Sequence, residues 1–376
     1  MHHEFGLDPE IIYLNHAAVA PWPRRTEQAV VAFAGENRRL GATRYPEWLA
    51  REACLRQRLA ALIGAASPDD IALMKNTSEA LSVIAEGFPW RRGDNLVSFA
   101  DEFPSNRLPW QALSGRGVET RLAPLNACDP EQALLALCDA RTRLVSVSSV
   151  QYANGLRIDL EQIGAYCRRQ GIRFCVDAIQ SLGALPFAVD AVKADFVVAD
   201  GHKWLLGPEG LALFYSRPSA REELRLVQFG WHMVEAVGDF DAGDWRPARS
   251  ARRFECGSPN QLGIHALDAS LSLLLEIGIE EIARRIEARV AAIIDEIDAR
   301  GFELLTPRDA TRRAGIVTFR VPGMDSQALY ERLMAHQVIC ACRGGGVRFS
   351  PHFHTAPEQI RKAFTILSHL LSRAGA

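Results

Sequence analysis

The sequence predicts an α/β fold with a mainly parallel sheet covered by helices on both faces, and three observations carry that reading. Short, apolar, β-rich runs recur at 144–150 (LVSVSSV), 174–178 (FCVDA), 195–200 (DFVVAD) and 211–216 (LALFYS). A helix-like stretch, DLEQIGAYCRRQG, lies between the first two and ends on a basic turn and Gly171, an ordinary helix stop. Strands that alternate with helices in this way build a parallel sheet through crossovers.

The elements follow in order. LMKNTSEALSVIAEGFP reads as a helix that starts at the capping residues Asn76, Thr77 and Ser78 and closes at Gly87 and Pro89. The 211–216 run follows its predecessor too closely for a helical crossover, so it is expected to pair antiparallel. Beyond about residue 262 the pattern changes. Ile282, Ile286, Val290, Ile293 and Ile297 recur at helical spacing, which suggests a long amphipathic helix packed on a core. GIVTFRV, DSQALYERLMAHQ, VICAC and GVRFS read as a small α+β unit. A last helix is expected from TAPEQ, with Thr355 and Glu358 as a capping box.

Composition narrows the function classes. The 376 residues are enough for two domains. A net charge of −2 supplies no field to gather nucleic acid or anionic membrane. No run of about 18 apolar residues lacks a charge, and MHHEFGLDPEIIY has no apolar signal-peptide core. The eight cysteines form no CxxC pair, so a reduced, cytoplasmic protein is the simplest expectation. The HFH at 352–354 has no companion Cys/His/Asp cluster, and no metal is expected there.

Chemistry concentrates between Phe174 and Pro208. Asp177 ends one apolar run, and Lys203 stands just past the end of the next, 26 residues on. Ligands of parallel α/β sheets bind outside the carboxyl ends of the strands, so the two side chains should face one crevice. An acid and a lysine there suit a cofactor that needs a protonated pyridine nitrogen and a Schiff-base amine, which is pyridoxal 5'-phosphate.

DAIQSLGA followed by ADGHKWLLGPEGLALFY resembles the cofactor core of class V aminotransferases, a group that includes cysteine desulfurases, kynureninase-like hydrolases and isopenicillin-epimerase-like enzymes. The resemblance runs from YLNHAAVAP near residue 13 to RFSPHFHT near residue 355. It implies pyridoxal-phosphate transferase fold type I, aspartate aminotransferase-like, with a seven-stranded sheet. It also implies a large domain at 21–262 and a small domain of 1–20 with 263–376.

The resemblance assigns expected roles. Lys203 would carry the Schiff base, and Asp177 would pair with the pyridine nitrogen. Gln180 matches the donor to the cofactor's phenolic oxygen, and His202 matches a phosphate contact, with plain packing as the alternative. Thr77 and Ser78 match phosphate ligands at a helix start, where bare N–H groups attract a dianion. Phe103 stands where many relatives carry a stacked histidine; a phenyl face can stack but cannot donate a proton. Gly257 and Ser258 match the segment that reaches the phosphate of a neighbouring subunit, which implies a homodimer with sites at the interface.

On the substrate side, Arg348 matches the arginine that forks onto an α-carboxylate, which makes an α-amino acid the expected substrate. Asn15 and His16-Ala17-Ala18 match the loop that closes over that group. Tyr152 lies where desulfurases often carry asparagine and kynureninase-like relatives an aromatic residue. Arg343 and its three following glycines suggest a tight loop near the entrance.

Two departures stand out. Asp200 fills a position where relatives often have Ser or Thr facing the phosphate, so its carboxylate is expected to turn away or to bind a neighbouring amide or histidine. Desulfurases carry a cysteine on a mobile loop, whereas here Arg343 leads straight through Gly344-Gly345-Gly346 to Arg348; Cys340 and Cys342 precede it. The expected activity is that of an aminotransferase or a β-eliminating lyase, with desulfurase-like or epimerase action as an alternative. A non-catalytic regulatory protein on the same fold is the other class. A nucleotide oxidoreductase is disfavoured, since no strand leads into GxGxxG and no GxxxxGK loop occurs.

Overall fold

The computed structural model describes residues 2–241 and 243–372. The chain enters through a short strand, β1 (Ile12–Tyr13), then two helices at Arg24–Leu40 and Tyr45–Ile63. Seven strands follow: β2 (Ile71–Met74), β3 (Asn95–Phe99), β4 (Glu119–Ala123), β5 (Thr142–Ser148), β6 (Arg173–Asp177), β7 (Phe196–Asp200) and β8 (Ala212–Ser216). They form one sheet in the order β2-β8-β7-β6-β5-β3-β4. From β7 to β4 the pairing is parallel, while β8 is antiparallel to both neighbours. The seven-stranded α/β sheet and the reversed 211–216 strand are as the sequence led us to expect.

The central strands are apolar on both faces because both faces are covered. Phe174 and Val176 of β6 pack into one hydrophobic cluster with Val197 and Ala199 of β7. Cys175, Phe196 and Val198 pack into the other, as the two-residue period of a strand requires. Between β5 and β6 the helix Leu160–Gln170 is capped by Asp159, which accepts from Gln162 N–H, and stops at Gly171 with φ 70°.

One local expectation holds and another needs correction. Gly87 closes the helix Thr77–Gly87, with Phe88 as the C-cap and Pro89 next. Its lack of a side chain answers a packing need, since a Cβ there would meet Arg225 O at 2.6 Å. The final helix, Pro357–Ser372, is not capped by a Thr355–Glu358 box. Thr355 Oγ1 accepts from His352 N–H, Gln359 Oε1 accepts from Ala356 N–H, and Glu358 pairs with Arg361.

The helix Gln261–Ile277 packs on the helices Arg24–Leu40 and Tyr45–Ile63. An 83° bend separates it from the helix Ile279–Ala299, whose Ile282, Ile286, Val290, Ile293 and Ile297 are all buried. The remaining strands are β9 (Glu303–Leu304), β10 (Val317–Arg320), β11 (Val338–Ile339), β12 (Ala341–Arg343) and β13 (Gly346–Phe349). They form a four-stranded sheet, β12-β13-β10-β9, and a two-stranded one in which β1 runs parallel to β11. The N-terminal residues thereby meet the C-terminal sheet, and Asn15 bridges Ser350. Among the described residues no single helix is long and apolar enough to cross a membrane.

Candidate active site

A cavity of about 410 Å³ opens at the carboxyl ends of β6 and β7. Asp177 is the last residue of β6. β7 ends at Asp200, and a turn through Gly201 and His202 delivers Lys203 to the same space. The chain has four lysines, at 75, 193, 203 and 362, and Lys203 alone is buried. Burial is the main force that drives its pKa down, to about 8; Asp177 and Asp200 pull it back up, and Arg348 pushes it further down. Its Nζ lies 5.5 Å from the centre of the Phe103 ring, and Phe103 meets Tyr152 edge-on at 5.2 Å.

An amine with that pKa is largely protonated at pH 7 and largely neutral at pH 9, and only the neutral form attacks an aldehyde. The rate at which apoprotein captures pyridoxal phosphate is therefore expected to rise with pH about a midpoint near 8. Stopped-flow absorbance checks this, and a midpoint at an ordinary lysine value, above about 10, contradicts it.

Burial lifts the Asp177 carboxyl to about 6; the Ile179 N–H and Lys203 oppose that rise, and Asp200 adds to it. The Ile179 hydrogen bond is 3.0 Å. A second buried acid, Glu102, was missed in the sequence. It accepts from Ser148 N–H at 2.6 Å and from the Ser148 hydroxyl, and Ser148 is the register partner of Asp177. Burial lifts Glu102 to about 7, and Asp177 contributes to the rise. Its place immediately before Phe103, in the loop after β3, was the signal that could have found it.

The helix Thr77–Gly87 points its start into the cavity. Asn76 caps it, its side chain accepting from Glu79 N–H at 2.9 Å. Thr77 Oγ1 is buried with no hydrogen-bond partner, and Ser78 Oγ bonds Ser105 Oγ at 2.9 Å. Asp200 is turned toward His202: Oδ1 stands 3.1 Å from Nδ1, yet neither atom makes a well-formed hydrogen bond. A buried amine, a buried acid and an orphaned hydroxyl at a bare helix start fit pyridoxal phosphate. That group, when bound there, would supply an electron sink for the substrate's α-carbon.

Gln180 lines the same cavity, but its amide is engaged. Nε2 donates to Ala17 O at 3.0 Å, and Oε1 accepts from Trp204 Nε1 at 2.8 Å. At the other end, Arg348 on β13 is buried. Its Nη1 donates to Tyr152 O at 2.6 Å and its Nη2 to Asn15 Oδ1 at 3.4 Å, while Nε has no partner. Burial, then repulsion from Arg343, lowers its pKa to about 10. Gly257 and Ser258 are not brought to Lys203 within this chain; they line a separate cavity with Lys75 and Glu79.

Arg343 reaches the cavity because β12 and β13 form a hairpin. Arg343 pairs with Gly346, and the two-residue turn holds Gly344 and Gly345 at φ 58° and 76°, the left-handed pair of a type I′ turn. Cys342 is half-buried in β12 and Cys340 is buried. Neither lines the cavity, and burial raises both thiol pKa values, Cys340's to about 12. A larger cavity of about 720 Å³ lies beside Arg157, Phe187, Glu280 and Arg312, but no lysine lines it.

Comparisons with known proteins agree with this geometry. The aminotransferase class-V family matches residues 12–363. A probable cysteine desulfurase of Methanothermobacter thermautotrophicus is 31% identical over 379 residues, spanning 93% of this chain and 92% of that protein. An uncharacterized aminotransferase of Bacillus subtilis is 29% identical over 323 residues, spanning 85% and 84%. The apo structure of a cysteine desulfurase from Thermococcus onnurineus NA1 superposes with a TM-score of 0.87 at 26% identity, covering 96% of this chain and 95% of that one. A cystine C-S lyase in complex with its reaction product, cysteine persulfide, superposes with a TM-score of 0.89 at 25% identity, covering 96% and 98%. The chain belongs to the aminotransferase class V family and is a pyridoxal-phosphate-dependent enzyme.

Proposed function

We propose that this protein is a β-eliminating lyase acting on an α-amino acid that carries sulfur on its β-carbon. One observation carries the reading: the hairpin closes directly after Arg343, and no cysteine lines the Lys203 cavity. A sulfur relay through the protein lacks its thiol, so the sulfur would leave with solvent-borne product. The overall reaction consumes the amino acid and one water and yields pyruvate, ammonia and the sulfur leaving group with its proton. The kinship to desulfurases and to a cystine lyase supports the sulfur substrate.

In this reading Arg348 holds the α-carboxylate as a fork, and Asn15 and the Tyr152 carbonyl fix the guanidinium. Lys203 Nζ, once freed by the substrate amine, takes the α-proton. Asp177 holds the pyridine proton, Phe103 covers the ring face, and Gln180 stands by the ring edge. Thr77, Ser78 and His202 receive the phosphate. Gly257 and Ser258 reach the phosphate of a second copy in a two-fold dimer.

Product analysis tests the reading. Equal amounts of pyruvate and ammonia are expected from a β-thio amino acid. Alanine with sulfur left on the protein contradicts it, as does a keto acid with aminated cofactor. Cys342→Ser is expected to leave kcat within about twofold, because this half-buried thiol does not line the Lys203 cavity; a loss of a hundredfold would restore the thiol relay.

A further inference from the structure

We infer that Asp200 makes cofactor phosphate binding proton-linked, by holding His202 as an imidazolium whose second nitrogen faces the phosphate. The inference rests on the pyridoxal-phosphate assignment and not on the lyase reading. It starts from two buried polar atoms, Asp200 Oδ1 and His202 Nδ1, which stand 3.1 Å apart while neither makes a well-formed hydrogen bond to the other or to any other group. Both residues line the cavity that also holds the unpartnered Thr77 hydroxyl.

An acid in this place would repel a phosphate if it faced it directly. Turned to Nδ1, it instead leaves Nε2 as the ring nitrogen available to a ligand. A neutral imidazole donates from one nitrogen only, and a ring that donates from both is charged. With a carboxylate on Nδ1 and a phosphate dianion on Nε2, both nitrogens must donate. Binding therefore draws one proton from solvent onto the ring, and the Asp–His⁺–phosphate array carries one negative charge less than its parts. Asp200 is a positioning residue here, and it converts a repulsive carboxylate into the support of a cationic phosphate ligand.

Other charged groups face the same space: Asp177, Lys203, Arg343, Arg348 and Glu209 line the cavity, and Asp177 acts on the buried Glu102. They remain in both an Asp200→Asn and a His202→Gln variant, but Asp200 itself acts on Asp177 and Lys203, so His202→Gln, which leaves Asp200 in place, is the variant that isolates the ring. The probe is 4-deoxypyridoxine 5'-phosphate, which has no aldehyde to join Lys203. Titration calorimetry of the apoprotein at pH 8, in buffers of different protonation heat, counts the protons taken up.

The wild type is expected to take up about one proton more per site than Asp200→Asn. Its affinity should fall about tenfold per pH unit between 7.5 and 9 relative to the variant. Asp200→Glu should restore part of the uptake, and His202→Gln should abolish it as Asp200→Asn does. Equal uptake and equal pH slopes in wild type and both neutral variants overturn the inference. A wild type that binds no probe at all overturns the cofactor assignment beneath it.

Discussion

Replacing Lys203 by alanine is expected to abolish the visible absorbance of the reconstituted protein and to lower turnover by about a thousandfold or more. Two roles fall on this amine, nucleophile toward the cofactor aldehyde and proton carrier at the substrate's α-carbon. Loss of a positioned proton carrier alone costs about 10²–10⁴, and loss of the covalent link adds to it. The remaining three lysines are not buried and none lines the cavity, so none can substitute. Removing a buried cation also leaves Asp177 and Asp200 without the charge that faces both. The variant is therefore expected to bind the phosphate analogue while failing to form the adduct. Thermal melting separates this from misfolding. A yellow, active Lys203→Ala protein would contradict the assignment.

The second large effect is expected at Arg348. Its guanidinium is buried, it is held from behind by Tyr152 and Asn15, and its Nε is unpartnered. Nothing in the described chain neutralises it by an ion pair, so its charge is available to a ligand carboxylate. Arg348→Ala should cost about 2–4 kcal/mol of amino-acid binding, or roughly 30- to 1,000-fold in KM. Cofactor affinity should change by less than about threefold. Arg348→Lys keeps the charge but loses the fork, so it should fall between the two. The alanine change also removes one force that lowers the Lys203 pKa, so the pH midpoint for cofactor capture should move upward. Equal losses for amino acid and cofactor would remove Arg348 from the carboxylate role.

The parts of this protein that were legible in the sequence are those governed by short-range rules. β6 and β7 are apolar on both faces and each ends in an aspartate at the carboxyl edge of the sheet, which is where chemistry collects in parallel sheets. β8 was readable as antiparallel because the chain between it and β7 is too short to cross over. The Asp159 cap and Gly171 stop announce their helix through local chemistry alone.

What could not be read depends on distant partners. Gly87 ends its helix as it reads, but the approach of the Arg225 carbonyl, which leaves no room for a side chain there, shows only in space. Thr355 has the spacing of a capping box, but the competing N–H of His352 takes its oxygen. Glu102 looks like a loop acid; only the fold buries it against Ser148 beside Asp177. Gln180 reads as a cofactor donor, and only in space do its further partners Ala17 and Trp204 appear, which take one of its two N–H groups and its oxygen. The sequence showed Asp200 as a misfit at a phosphate site that should turn away or bind an amide or a histidine, and only the fold chooses among these by turning it toward His202.

The central claim is the covalent attachment of the cofactor to one amine, and peptide mapping after borohydride reduction tests it most directly. Reduced holoprotein, digested and read by mass spectrometry, should carry the phosphopyridoxyl mass on the peptide that contains Gly201, His202 and Lys203, and on none of those containing Lys75, Lys193 or Lys362. A modified peptide at any of those three positions, with Lys203 unmodified, would contradict the account.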